Sequence, residues 1–298
     1  MRGGNARAAA IGLIADSAFA YPDRLPHPLG WFGTAMARVE ERTYADTIAA
    51  GATYAAAGTA IGVASSVAIR STAVATWLAS GGRQLHDTAL EIAAHLDADD
   101  LDAARVELPS LVGRDPDALD AAGIARATIE SVAENTVDAI VAPAFWAAVA
   151  GAKGVLAHRA IDTLDSMVGY RNDRYGRFGT ASARLDDAMA WVPARITVAL
   201  VVAARPRAAR DIIRTVRRDA PAHPSPNSGL VEAAFAAALG IELGGPTAYA
   251  DRIDERPRLG WGRPPRPADI ERAVSLSAEI STAMATALAG YGLARLRG

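Results

Sequence analysis

The sequence predicts an all-α, multi-pass integral membrane protein, on three observations. Long uncharged apolar runs alternate with charged helical stretches in a chain of 298 residues that is 51% hydrophobic. No segment shows the apolar–polar alternation of a half-buried strand. The uncharged runs are also more numerous and more evenly apolar than a soluble bundle needs, since a surface helix buries only one face. With ~20 residues required per crossing, about four to five spans are expected. Amphipathic soluble helices and a Pro/Gly-rich C-terminal third complete a single domain over 1–298.

In chain order, Met1–Tyr21 resembles a signal peptide, but Asp16 interrupts its apolar part, so it reads as a retained helix. Thr47–Ile69 carries no charge and is the clearest span; Gly58 and Gly62 within it form a GxxxG pair suited to close helix approach. Ser71–Gly82 is a shorter apolar piece. Leu85–Val112 has amphipathic spacing, with Asp99, Asp100 and Asp102 placed where a helix would start. Gly113-Arg-Asp-Pro116 reads as a stop and restart, with Asp120 as the next cap. Ala139–Ala152, Ala188–Ala204 and Ala273–Ala294 are further apolar runs, and the basic stretch Arg205–Arg218 suits a helix emerging at a membrane surface. Asp219–Pro267 reads as loops around one short helix, Leu230–Leu239.

The charge balance of 31 basic and 33 acidic residues, net −2, gives no electrostatic footprint for nucleic acid. The absence of cysteine excludes disulfides, thiolate nucleophiles and Cys-ligated metals. No Walker loop, GxGxxG, GxSxG or HExxH pattern occurs, so any nucleotide chemistry uses a non-standard site.

Four polar segments carry the candidate chemistry. Arg126, Glu130, Glu134 and Asp138 recur every fourth residue, one stripe on a helix. Three mutually repelling carboxylates call for a cation; Arg126 suits Glu130, and Mg²⁺ suits Glu134 and Asp138. A solvated acidic face is the bland alternative. Asp162 and Asp165 share a helix face ahead of a Gly169 break, after which Arg171 and Arg174 could grip phosphate oxygens. Asp186-Asp187, just before Trp191-Val-Pro-Ala-Arg195, is similar to the metal–diphosphate sites of membrane prenyltransferases. Acids at a helix start are also ordinary dipole partners. His223-Pro-Ser225-Pro-Asn227 leads into a helix N-terminus, an anion-binding arrangement or simple N-capping by Asn227 or Ser228. His27-Pro28 near Trp31 is a rigid polar turn.

Taken together, His27-Pro28 with Trp31, Gly113-Arg114-Asp115, Glu130-Ser-Val-Ala-Glu-Asn-Thr-Val-Asp138, Thr163-Leu-Asp-Ser-Met-Val-Gly-Tyr-Arg-Asn172, Arg184-Leu-Asp-Asp187, Pro193-Ala-Arg195 and His223-Pro-Ser-Pro-Asn227 resemble the adenosylcobinamide-phosphate synthase family, CobD/CbiB, of cobalamin biosynthesis. The resemblance runs from roughly Asp16 to Ala273. It departs at Asp162, where Asn is usual, and at Ala190, where Asn often precedes the tryptophan. It implies an ATP-dependent ligase in the cell membrane, with its site facing the cytoplasm. That ligase joins (R)-1-amino-2-propanol or its phosphate to a propionate of adenosylcobyric acid. Glu130, Glu134, Asn135, Asp138, Asp165 and Asn172 are the expected catalytic set. His27, Arg114, Arg171, Arg174, Arg195, His223, Ser225 and Asn227 would hold substrate or phosphate, and Glu134, Asp138, Asp186 and Asp187 the Mg²⁺. Expected partners are the corrin, the aminopropanol and the bilayer, with homo-oligomerisation or association with other corrin-pathway proteins left open. The residues alone also allow a Mg²⁺-dependent prenyl- or phosphotransferase, or a membrane scaffold.

Overall fold

The structure is a computed structural model that describes residues 2–19, 21–22, 27–113, 116–117, 119–170, 172–248 and 253–296. Twelve α-helices and one hairpin follow in order among these residues. They are α1 (Gly3–Ala18), α2 (Pro28–Thr43), α3 (Ile48–Ser65), α4 (Thr72–Ala79), α5 (Gly82–Asp97), α6 (Leu101–Glu107), α7 (Ala121–Thr136), α8 (Ala142–Val168), α9 (Thr180–Ala204), α10 (Ala209–Asp219), α11 (Ser228–Leu239), β1 (Leu243–Ala248), β2 (Ile253–Leu259) and α12 (Pro267–Ala294). Among the described residues three helical stretches are long and apolar enough to cross a membrane: Ile48–Ser65, the 48-residue Ala121–Val168 and Thr180–Ala204, which gives the all-α membrane character the sequence predicts. The N-terminal run forms only the 16-residue α1, and Ser71–Gly82 only the 8-residue α4. Just 28% of the apolar windows of α3 and α9 is buried by protein, which leaves greasy surface that water would not tolerate.

The chain forms two compact units, one of Met1–Gly81, Asp138–Trp191 and Met284–Gly298, the other of Gly82–Val137 and Val192–Ala283. In the first unit α8 packs against α1, α3 and α4. The GxxxG pair does what its spacing suggests: a Cβ on Gly58 would lie 2.7 Å from Leu164 Cδ1, and one on Gly62 2.5 Å from Ala160 Cβ. Glycine there lets α3 and α8 approach closely, with Met36, Tyr54, Leu164, Val168 and Phe178 as the adjoining core. Gly151, at φ +66°, breaks α8 into two helical segments.

In the second unit α7 packs against α5, α6, α11 and β1, so most of its residues are buried, Glu130 included. Asp100 and Asp120 cap α6 and α7 through bonds from Ala103 N–H (3.0 Å) and Gly123 N–H (2.7 Å), as their positions predict. The hairpin is a departure from the expected loops. Gly244-Gly245-Pro246 and Pro257 read as punctuation in sequence, but β1 and β2 pair antiparallel around an irregularity between Gly244 and Pro246. Gly244 and Gly245 sit at φ +73° and +84°, conformations that glycine adopts without strain. Between α7 and α8 the chain winds through a π-helical turn, Val137–Val141, and there it passes from the second unit to the first.

Candidate functional site

In the second unit, the Arg126–Glu134 part of the stripe, Arg195 and the His223–Asn227 loop converge, whereas Asp138, Asp186 and Asp187 belong to the first. Glu130 Oε1 accepts a 2.6 Å bond from Gly244 N–H, which the irregular hairpin turn aims at it. Arg126, one turn earlier, donates to Pro246 O at 3.2 Å, so acid and base of the stripe both hold the hairpin. Glu134, one turn later, is exposed and accepts from the Ser228 hydroxyl at 2.8 Å. Asn135 turns back along its own helix to Ser131.

The His223–Asn227 loop is shaped by its own side chains. Ser225 Oγ accepts from the N–H groups of Asn227 (3.3 Å) and Ser228 (3.2 Å), so Ser225 caps α11. The residues that position alone suggests as caps are used elsewhere. Ser228 reaches Glu134, and the Asn227 amide oxygen accepts from Arg195 Nη1 at 3.3 Å. His223 Nδ1 lies 3.1 Å from Ser225 N, and its ring packs on Gly229, where a Cβ would come within 2.4 Å of His223 Cβ. Its Nε2 faces Glu232 Oε1 at 3.7 Å, both side chains being almost fully buried. Burial lowers the His223 pKa, and the Arg256 charge adds to this; the Ser225 bond and the charges of Glu134 and Glu130 act the other way. The neutral ring is therefore an internal brace of the loop, and the exposed polar edge belongs to Glu134, which the part-buried Ser228 holds.

In the first unit, the turn after α8 is fastened from α2. Glu40 Oε1 accepts from Arg174 Nη2 and from the Tyr175 hydroxyl, each at 2.9 Å. The Arg174 guanidinium stacks 4.4 Å from the Tyr44 ring centroid, and its bond to Glu40 raises its pKa, keeping it charged. Asn172 Oδ1 accepts from Tyr175 N–H at 2.8 Å, closing the turn. The Asp165 carboxylate lies over Gly169, where a Cβ would come within 1.9 Å of Oδ1. Asp162 pairs with Arg159 at 2.8 Å. His27 caps α2 by accepting from Leu29 N–H at 3.2 Å, and its ring meets Tyr21 edge-on at 4.3 Å. Asp138, Asp186 and Asp187 are part-buried, each with a polar partner. Arg114 and Arg171 lie outside the described residues.

Among the described residues no three His, Asp or Glu side chains group closely enough to hold a metal ion, so Glu134, Asp138, Asp186 and Asp187 do not make a protein-only cage. One local reason is the π turn: its wider winding starts at Val137 and takes Asp138 off the four-residue stripe that joins Arg126, Glu130 and Glu134. Along α9, Asp187, Trp191 and Arg195 follow at i, i+4 and i+8, one face over about 12 Å of helix. Glu40 is the site-forming residue that sequence reasoning missed. It is one acid of the Glu40-Glu41 pair on an amphipathic helix, and only its burial, at 8% exposure, marks it out.

The fold and these polar constellations define a helical protein of membrane character, whose apolar helices carry carboxylate, arginine and His-Pro-Ser-Pro-Asn segments. The CobD/Cbib protein family matches residues 9–277, and the chain belongs to that family. It is 49% identical over 282 residues to cobalamin biosynthesis protein CobD of Mycobacterium tuberculosis, covering 90% of this chain and 89% of the relative. It is 42% identical over 289 residues to the CobD of Rhodobacter capsulatus, with 90% of each covered, and 40% identical over 270 residues to that of Pelobacter propionicus, with 84% of each covered. No solved structure matches.

Proposed function

We propose that this chain, whose family gives it a role in cobalamin biosynthesis, forms the amide bond between an aminopropanol and a propionate side chain of a corrin. The amine is (R)-1-amino-2-propanol or its O-phosphate, the acid adenosylcobyric acid, and the driving cosubstrate ATP. The observation that carries the reading is the meeting of Glu134 of α7 with Ser228 at the start of α11, where Arg195 in turn holds Asn227, the last residue of the His223–Asn227 loop. It joins a carboxylate to the donor-rich start of a helix, which suits phosphate oxygens.

A carboxylate is a poor acyl donor. Transfer of the ATP γ-phosphoryl group to it gives an acyl phosphate; attack by the amine nitrogen then forms the C–N bond and expels phosphate. The amine must shed a proton, and the exposed Glu134 is the available base in the second unit, with the part-buried Asp165 a second acid in the first. In the second unit Arg195 and the α11 N-terminus would steady phosphoryl oxygens; in the first, Arg171 and Arg174 are the cations suited to the same role. Mg²⁺ would be held by one or two of Asp138, Asp186 and Asp187, an arrangement that suits this ion and donor set; when bound it screens phosphate charge. The substrates are cytoplasmic, so the reading sets the site on the cytoplasmic side of the cell membrane.

The test is Glu134→Gln in the purified chain, supplied with adenosylcobyric acid, ATP and each amine, with the corrin followed by mass spectrometry. The reading expects amidated corrin from the parent chain and a loss of 100-fold or more, about the worth of a general base, in a variant with unchanged thermal unfolding. Parental activity in the variant would remove Glu134 from the chemistry, and absence of amidated corrin from the parent chain would remove the reading itself.

A further inference from the structure

The helix α10, within the basic stretch Arg205–Arg218, takes no part in the candidate site and carries a dense cationic face. Its inner side, Ile212, Thr215 and Asp219, is buried and packs toward α11. Its outer side presents Arg210, Arg214, Arg217 and Arg218 around Ile213, all exposed and together lining one shallow depression. These positions follow at i, i+3, i+4, i+7 and i+8, a single stripe. Asp211 offsets Arg214, at 3.4 Å, and the buried Asp219 pairs with Arg218, so Arg210 and Arg217 carry charge without an acid partner beside them among the described residues.

A second feature adjoins the stripe. Trp261, in the turn after β2, is 68% exposed and lies under the Arg218 guanidinium, 3.6 Å from ring centroid to Cζ. Ile213 is 41% exposed. Guanidinium groups interleaved with an exposed indole and an aliphatic side chain fit a surface that is anionic outside and apolar just beneath. The helix also begins five residues after Ala204, where the membrane-length helix α9 ends, so the chain cannot carry it more than ~18 Å from that end.

We propose that the outer face of α10, with Trp261, docks on the headgroups of anionic phospholipids. Arg210, Arg214 and Arg217 supply the charge, and Ile213 and Trp261 enter the headgroup layer beside them. The alternative source of the same phosphate chemistry is a free nucleotide, which lacks the acyl boundary that Ile213 and Trp261 would need.

The test uses the full chain in a neutral detergent, with native mass spectrometry of the lipid retained from equal phosphatidylglycerol and phosphatidylcholine. Hydrogen exchange over residues 209–219 runs in parallel. The parent chain should retain phosphatidylglycerol preferentially and slow exchange in α10 when it does. Each arginine near an anionic surface is worth roughly fivefold, so the triple variant Arg210→Gln, Arg214→Gln, Arg217→Gln should lose about 100-fold in phosphatidylglycerol affinity. The corresponding triple lysine variant should keep the preference. Equal retention of the two lipids by the parent chain, an unchanged preference in the glutamine variant, or displacement of the lipid by ATP would each overturn the proposal.

Discussion

At the scale of single residues, the site depends on side chains committed to one another behind its exposed edge. His223 belongs to the motif that resemblance assigns to phosphate holding, yet its buried ring is committed to Ser225, Gly229 and Glu232. Because the folded chain lowers its pKa below the ordinary 6.5, the unfolded chain binds the proton more readily. The stabilisation from the neutral ring is therefore complete above pH ~6.5 and is lost as pH falls through the folded value. Protection from hydrogen exchange over the segment 223–232, taken relative to the intrinsic rate at each pH, should fall on acidification, and His223→Gln should flatten that dependence; a flat protection profile in the parent chain would remove the brace. Glu40, Arg174 and Tyr175 show the same economy in the first unit. The motif turn up to Asn172 is legible in sequence, whereas the acid that fastens it lies on another helix with no spacing to announce it.

At the scale of elements, helices were easy to read and their partners were not. Uncharged runs and acidic caps give α3, α6, α7 and α9 from local rules, because periodicity and capping are properties of neighbouring residues. The hairpin was missed because its glycines and prolines, which ordinarily mark loops, here build the bend that presents Gly244 N–H to Glu130. That contact depends on a partner 114 residues away, beyond any local pattern. The GxxxG stripe of α3 was legible because it is local, and it makes a direct prediction. Gly62→Val places carbon where Ala160 Cβ and Leu156 O stand within 2.5 and 2.7 Å of the new atom, and overpacking of this kind costs about 1–3 kcal/mol. Gly30→Ala in α2, where nothing lies within 4 Å, should leave thermal unfolding in detergent almost unchanged. Equal effects of the two would mean that α3 and α8 are not in close contact.

At the scale of the whole molecule, four candidate segments that the sequence spreads over about a hundred residues are distributed over two compact units. Three motif segments meet in the second, through Glu134–Ser228 and Arg195–Asn227, while the acidic turn before Asn172 is built in the first. The orientation proposed for the site is open to direct measurement, since the chain has no cysteine to interfere. A single Ala222→Cys, exposed beside the His223 loop, should react with a membrane-impermeant maleimide in inverted vesicles and stay protected in intact cells. The reverse pattern would turn the molecule over. One feature also reaches beyond this chain. The π turn at Val137–Val141 is what a helix becomes when one residue is inserted and the flanks keep their places. Deleting a single residue there would return the turn to ordinary helical pitch while α8 keeps the faces it presents. The turn thus acts as a phase-absorbing insertion. Gaps of one residue between relatives at this point would be taken up locally, and identical residues of α8 would keep their facing.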